Sequence, residues 1–458
     1  MDQSSWVPMR WPEDWRDPSL LDLLRDTPIN CLVVAWGNQS LPAAVLEQGR
    51  RLGLRFVGHI ESTAGRAAAL QSAQAAGLDA VALDNPKEAK LPAIAWAEKS
   101  KLPWSSGAAV FAAADAVWPG IPSRAGERGG PTAVPWVDAN GWFLQLARTL
   151  AHGKPVWLAT APPQAEAVRT PRYLLAIADA CAYGGRWVIT LDDKLRASLA
   201  ARSQDALDEW KAITGAVRFF ETHREWSSLA PYANLAVLSD FSGANEFASQ
   251  ELLNLLARRG VPYRIIEKSR ADATEWTGIK GILFPDEQPP GDDLKKKLLS
   301  FVEGGGTLIV QAKWPAPAGL GATSDALRRW NLYAIGKGRL AIAKDESQDP
   351  YVVAADAQIL LSHRNDVVRY FNFGTMNGYY TSAAGGRRAV LHVVNYTTRT
   401  SSNPVSITLP RRYEAARLWR LDTDSPAPLE VAPAEMTGVE IHLPPFGVYA
   451  AIELEAAG

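Results

Sequence analysis

The chain has 458 residues, 48 basic and 49 acidic side chains, a formal net charge of −1 and a hydrophobic fraction of 47%. One core rarely extends past roughly 250–300 residues, so two or three domains are expected. The balanced charge, with no block of like charges, argues against nucleic acid as a partner, and no stretch approaches the roughly 18 apolar residues of a membrane span.

The first half alternates short apolar runs with amphipathic segments, the rhythm of βα units on a parallel sheet. Met9–Pro12 ends a first strand. Asp17-Pro18 opens a helix, Asp as N-cap and Pro in the first turn, with Leu20, Leu21, Leu23 and Leu24 on its apolar face. Ile29–Trp36 reads as a second strand, Leu41–Leu52 as a helix and Leu54–Ile60 as a third strand. Ser62 caps an alanine-rich helix that Gly77 stops. Leu78–Leu83, ending in Asp84-Asn85, is the fourth strand, Pro92–Trp96 the fifth and Ala108–Ala114 the sixth. The Gly-, Pro- and Arg-rich run Arg124–Pro135 is long for a compact unit and reads as a functional loop. A helix over Ala139–Ala151, a strand Pro155–Ala161, a helix Pro171–Ala182 and an eighth strand Arg186–Leu191 follow. A helix near Ala206–Thr214 and the segment Val217–Trp226 close the ring. These elements predict a compact TIM (β/α)8 barrel over residues 1–230.

A different rhythm begins after Pro231. Strands Asn234–Ser239, Tyr263–Glu267, Gly281–Phe284 and Thr307–Gln311, with helices Asn245–Arg259 and Asp292–Glu303, predict a flavodoxin-like α/β domain over 231–375. From Arg388 the apolar residues alternate with period two in Ala389–Tyr396, Pro404–Leu409, Ala416–Leu421, Val439–Leu443 and Val448–Glu453. That pattern predicts a small antiparallel β-sandwich over 376–458. The two cysteines, Cys31 and Cys181, form no Cys-x-x-Cys and have no nearby His, so no zinc site and no disulfide framework are expected. Met1-Asp2-Gln3-Ser4-Ser5-Trp6 carries neither the basic region nor the apolar core of a signal peptide, and the compartment stays open.

The segments Asn234-Leu-Ala-Val-Leu-Ser-Asp240, Gly278-Ile-Lys-Gly-Ile-Leu-Phe-Pro285, Val302-Glu-Gly-Gly-Gly-Thr-Leu-Ile-Val310, Leu391-His-Val-Val-Asn-Tyr396 and Leu443-Pro-Pro-Phe-Gly-Val-Tyr-Ala450 carry a resemblance. In that order of domains the chain resembles barrel glycoside hydrolases, above all beta-galactosidases with an amidotransferase-like trimerisation domain. The resemblance implies an oligosaccharide ligand, no cofactor or metal, and a homo-oligomer formed through 231–375. No Cys follows residue 181, so the amidotransferase-like domain cannot run cysteine chemistry and reads as structural. The Asn-Glu pair that the family carries after strand four is not found at that place. Gly77-Leu-Asp-Ala-Val-Ala-Leu-Asp84-Asn85 is instead similar to alpha-galactosidase-like barrels, in which the last Asp is the nucleophile.

Glycoside hydrolysis needs two carboxyl groups, roughly 5–5.5 Å apart for retention or 6.5–9.5 Å for inversion. In a barrel they project from C-terminal strand ends. Asp84 is the expected nucleophile or base; its structural alternative is an Asx cap. Asp115, Glu61 and Asp138 are the candidate acids, against a loop-ordering role for Asp115 and an N-cap role for Asp138. Arg10, Trp36, His59, Trp96, Trp118, Asp192 and Asp193 are candidate substrate-binding residues. Indole faces suit sugar rings, Arg10 suits a uronic carboxylate, and the Asp192-Asp193 pair has helix capping as its alternative. Thirteen of the 17 tryptophans precede residue 230, and most of them are expected in packing. The rival reading is a non-catalytic carbohydrate-binding or scaffold protein on a degenerate barrel, which a mouth without facing carboxylates favours. A lyase or isomerase reading has only Lys87 and Lys194 near strand ends, in polar stretches that read as solvated loops.

Overall fold

The computed structural model describes residues 3–37, 41–122, 136–163, 167–323, 328–346, 349–401, 403–434 and 437–456. The expected functional loop Arg124–Pro135 lies outside them. The chain forms two compact units, one of residues 1–228 with 396–399 and one of 229–395 with 400–458.

In the first unit the strands are β1 (Pro8–Arg10), β2 (Cys31–Ala35), β3 (Arg55–His59), β4 (Ala80–Leu83), β5 (Ala93–Ala97), β6 (Val110–Ala113), β7 (Val156–Leu158) and β8 (Arg186–Trp187). They lie side by side in sequence order and all pairs are parallel. The ring closes just past β8: Arg10 N–H donates to the Ile189 carbonyl at 2.8 Å and Ile189 N–H to the Pro8 carbonyl at 3.2 Å. The strands are short and their residues are almost all buried, because one face fills the barrel and the other meets helices. The filling is alternate residues: Cys31, Val33, Val57, Ala80, Ala82, Ile94, Trp96, Val110, Ala112, Trp157, Ala159 and Val188.

The helices are α1 (Ala43–Arg51), α2 (Arg66–Ala75), α3 (Gly141–Leu150), α4 (Thr170–Ala182), α5 (Asp193–Ala200) and α6 (Gln204–Thr222). Asp17 caps as expected, accepting from Ser19 N–H, but the element it opens, Pro18–Leu24, is a 3-10 helix. Ser62 does not cap α2: its hydroxyl takes the Ala64 N–H, and α2 starts after Gly65 in the left-handed conformation. Asn140, not Asp138, stands at the N-cap of α3. Val217–Trp226 supplies no strand. It continues α6 and runs into a 3-10 turn, Arg224–Ser228, so β8 and β1 close the ring by themselves.

The second unit opens with β9 (Ala230–Pro231). It then forms β10 (Leu235–Ser239), α7 (Glu246–Arg258), β11 (Tyr263–Glu267), β12 (Gly281–Phe284), α8 (Asp292–Glu303), β13 (Thr307–Val310), β14 (Trp330–Ile335), β15 (Gly338–Ala343) and α9 (Pro350–Leu361). The sheet order β11-β10-β12-β13-β15-β14 is flavodoxin-like, with β14 the antiparallel edge. Ala236, Leu238, Ile282, Phe284, Leu308 and Val310 pack one face of that sheet on Leu298 and Val302 of α8. The hairpin β14–β15 and helix α9 are absent from the sequence-based expectation.

The remaining strands are β16 (Arg369–Phe371), β17 (Met376–Ser382), β18 (Arg388–Asn395), β19 (Val405–Leu409), β20 (Ala415–Arg420), β21 (Ala427–Leu429), β22 (Ala432–Pro433), β23 (Val439–Leu443) and β24 (Tyr449–Glu455). They form two antiparallel sheets, β16-β19-β23-β22 and β21-β20-β24-β18-β17-β9. Val405, Ile407, Leu409, Ile441 and Leu443 of one sheet share a core with Leu391, Val393, Leu418 and Ile452 of the other, which is the expected sandwich.

Candidate functional site at the barrel mouth

The alternation that fills the barrel also builds its mouth. Two residues past the last inward-facing Val57, Ala82, Ala112 and Ala159 come His59, Asp84, Ala114 and Ala161. All four line one cavity of about 400 Å³, together with Arg10, Ile60, Glu61, Leu83, Trp96 and Thr160. The small side chains of β6 and β7 leave the room that Arg10, His59 and Trp96 project into. Of the residues expected from sequence, the structure thus brings Arg10, His59, Glu61, Asp84 and Trp96 together. Trp36 lines a second cavity beside it, which shares His59, Ile60 and Glu61.

One polar cluster is centred on Arg10. Its Nη2 donates to Glu61 Oε1 at 2.9 Å and lies 3.2 Å from His59 Nδ1. The His59 ring sits against Trp96, centroids 4.6 Å apart. Burial, reinforced by the Arg10 charge, lowers the His59 pKa to about 4. The imidazole is therefore neutral at pH 7, and as Arg10 donates to Nδ1 the ring proton is assigned to Nε2. The hydrogen bond from Arg10 holds the Glu61 carboxyl below the usual carboxylate range.

The second cluster is centred on Arg66, the first residue of α2. Its Nη1 lies 2.9 Å from Asp84 Oδ1 and 3.3 Å from Glu88 Oε2. Arg66 itself is buried, whereas 58% of the Asp84 side chain stays exposed. Arg66 and Thr160 were not singled out from sequence. A signal for Arg66 existed: a cation in the first turn of a helix opposes the helix dipole and calls for a carboxylate partner.

The other expected site residues lie elsewhere. Asp115 accepts the Lys99 backbone N–H at 2.8 Å and orders the loop after β5. Asp138 takes the Trp136 indole N–H at 3.2 Å, and its backbone bridges Gly120. Asp192 caps α5, accepting from Lys194 and Leu195 N–H and from the Tyr173 hydroxyl. Asp193 points outward and pairs with Arg196 at 3.1 Å. Trp118 is buried edge-on against Tyr173 and Trp187, its N–H satisfied by the Ala161 carbonyl at 2.9 Å. Each of these makes a structural contact, and none lines the mouth cavity.

Among the described residues no group of three or more His, Cys, Asp or Glu is arranged to hold a metal ion. No helix among them is long and apolar enough to cross a membrane. In the flavodoxin-like sheet the strand ends carry an ion-pair network instead of a nucleophile: Lys268 bridges Asp240 at 2.7 Å and Asp286 at 2.5 Å.

A barrel with this mouth, followed by a flavodoxin-like layer and a β-sandwich, defines the class: a glycoside hydrolase-like TIM-barrel fold with β-rich C-terminal structure. Solved structures agree along the whole chain. An alpha-L-fucosidase, isoenzyme 2, from Paenibacillus thiaminolyticus is similar with a TM-score of 0.61 at 10% identity, covering 99% of both chains. A beta-galactosidase from Rahnella sp. R3 has a TM-score of 0.56 at 10% identity over 99% of this chain and 98% of its own. A beta-galactosidase from the haloarchaeon Halorubrum lacusprofundi has 0.54 at 11% identity over 98% of both. No protein-family model and no curated protein matches the sequence. At these identities the likeness is one of fold.

Proposed function

We propose that the barrel mouth binds a saccharide without cleaving it. The observation that carries this reading is that both carboxylates in the mouth are paired with guanidinium groups, Glu61 with Arg10 and Asp84 with Arg66. Glycosidic cleavage needs a carboxylic acid that keeps its proton near neutral pH, and burial or a like charge supplies that. A guanidinium does the reverse, and Arg10 keeps Glu61 ionised. A carboxylate fixed beside an arginine offers acceptors and donors side by side, which suits neighbouring sugar hydroxyls. Trp96 adds an apolar face for the C–H side of a ring, and neutral His59 adds a donor at Nε2. The fold likeness adds carbohydrate as the ligand class by analogy, and makes fucosides and galactosides the first probes.

Hydrolysis is the second reading. Its support is the exposed Asp84 carboxyl in the same cavity as Glu61. One experiment separates the two. Aryl galactosides, fucosides and glucosides are tested for turnover, and the matching free sugars for binding by calorimetry, with wild type beside Asp84→Asn and Glu61→Gln. Binding without turnover supports the proposal. Turnover that collapses in either variant replaces it with hydrolysis, and neither binding nor turnover removes both.

A further inference from the structure

Resting on the saccharide reading above, we infer that the ligand spans two chambers, so that the protein selects chains of two or more sugar rings over a single ring. The mouth cavity of about 400 Å³ is joined by a second of about 600 Å³, and His59, Ile60 and Glu61 form the ridge that both share. Each chamber has one indole wall, Trp96 in the first and Trp36 in the second. Trp96 and Trp36 are only 7% and 6% exposed. Buried indoles normally find an acceptor, and Trp11, Trp118 and Trp210 each donate to a backbone carbonyl. Trp36 and Trp96 have no such acceptor among the described residues, and they differ from the sealed indole nitrogens of Trp15, Trp157 and Trp187 in lining open cavities. Both chambers therefore present an apolar face together with an unused donor, the pair of features one pyranose ring needs.

The second chamber owes its width to α2. Gly65, Ala68, Ala69 and Ser72 recur at helical spacing and all line it. No side chain on that face is larger than serine, so a ring-sized gap stays open beside Trp36. Glu61 stands at the junction with 69% of its side chain exposed and one oxygen held by Arg10. Its acceptors reach hydroxyls on either side of the ridge. A glycosidic oxygen over the ridge, with one ring against each indole, uses both donors and both apolar faces at once.

The test is calorimetric titration with mono-, di- and trisaccharides of galacto, gluco and fucose-terminated series. Wild type is compared with Trp36→Ala and Ala68→Tyr. Ala68 is exposed on α2, so the tyrosine fills the chamber without a change in the core. The expected result is a disaccharide that binds roughly 30-fold more tightly than its monosaccharide, from one stacked ring and one hydrogen bond. Both variants bring the disaccharide down to the monosaccharide's affinity. Equal affinities for one and two rings, or a disaccharide indifferent to Ala68→Tyr, overturn the two-chamber inference while the mouth stays a saccharide site. Failure of every sugar in every series overturns the saccharide reading itself.

Discussion

His59 gives the barrel mouth a measurable acid sensitivity. Its pKa falls from the ordinary 6.5 to about 4 because the ring is buried and Arg10 is beside it. The unfolded chain takes up this proton as pH drops through 6.5, while the folded chain resists until about 4. The contribution is therefore fully present above pH 6.5 and is lost as pH falls across that window. From pH 7.5 to pH 5 these two values give a loss of about 2 kcal/mol at 1.36 kcal/mol per pKa unit. Glu61 acts in the same direction but lower, since its depressed pKa yields stability that disappears only below its ordinary 4.5. Denaturant unfolding followed by tryptophan fluorescence reads the barrel, which holds 13 of the 17 indoles. Wild type is expected to lose about 2 kcal/mol more than His59→Gln between those two pH values. An NMR titration of the six histidines, with the variant to assign the resonance, checks the cause directly. A His59 that titrates near 6.5, or equal losses in wild type and variant, would refute the argument.

Three other outcomes follow from the packing. Asp179 is fully buried and its oxygens are held by the Tyr396 hydroxyl at 2.6 Å and by Asn140 at 2.9 Å. Tyr396→Phe removes a hydrogen bond to a carboxylate and is expected to lower barrel stability by about 2 kcal/mol in denaturant unfolding. Asp192→Ala strips the cap of α5 and is expected to cost about 1–2 kcal/mol by the same measurement, with saccharide affinity unchanged in calorimetry. Gly338→Ala would place a Cβ 2.1 Å from the Val302 carbonyl and 2.3 Å from that of Gly306. Neither backbone can yield easily, so thermal unfolding of the second unit is expected to fall by about 3 kcal/mol in stability while the barrel transition stays in place.

Barrel strands were legible because a parallel strand buried on both faces is a short apolar run, and the geometry places the residues at the end of each run at the C-terminal rim. Arg10, His59, Glu61, Asp84 and Trp96 were reached in this way. Position at a strand end does not say what a side chain does there. Asp115 and Asp192 follow strands in the same way, yet backbone donors claim both, and Asp138, in the loop ahead of α3, takes an indole donor. Arg66 carries a signal in its place at the start of α2, but its partners Asp84 and Glu88 come from the next βα unit, so the pairing does not show in the local sequence. In the second unit the hairpin around Gly336-Lys337 carries a turn signal, but its flanks, Trp330–Ile335 and Gly338–Ala343, lack clean alternation, since β15 is buried between two neighbours. Helix α9 is apolar nearly all round, which erases the periodicity that marks a surface helix.

The mouth is open because two of the four residues of its upper layer, Ala114 and Ala161, are alanine, and that choice costs the barrel stability. Ala114 lines the cavity and packs at the edge of the barrel core. A leucine there adds three carbons to existing space rather than to a filled core, so it is expected to stabilise the protein. Each fully buried methylene contributes about 0.8 kcal/mol, and partial exposure brings the sum to about 1–2 kcal/mol. The same side chain occupies the volume beside Trp96 that a sugar ring would need. Ala114→Leu should therefore unfold at higher denaturant and bind no saccharide, the trade expected where cavity volume serves a ligand. A variant that is more stable and binds as wild type places the ligand elsewhere. One that is less stable shows the space to be already filled by the motion or packing of its neighbours, and removes the case for a cavity kept open for binding.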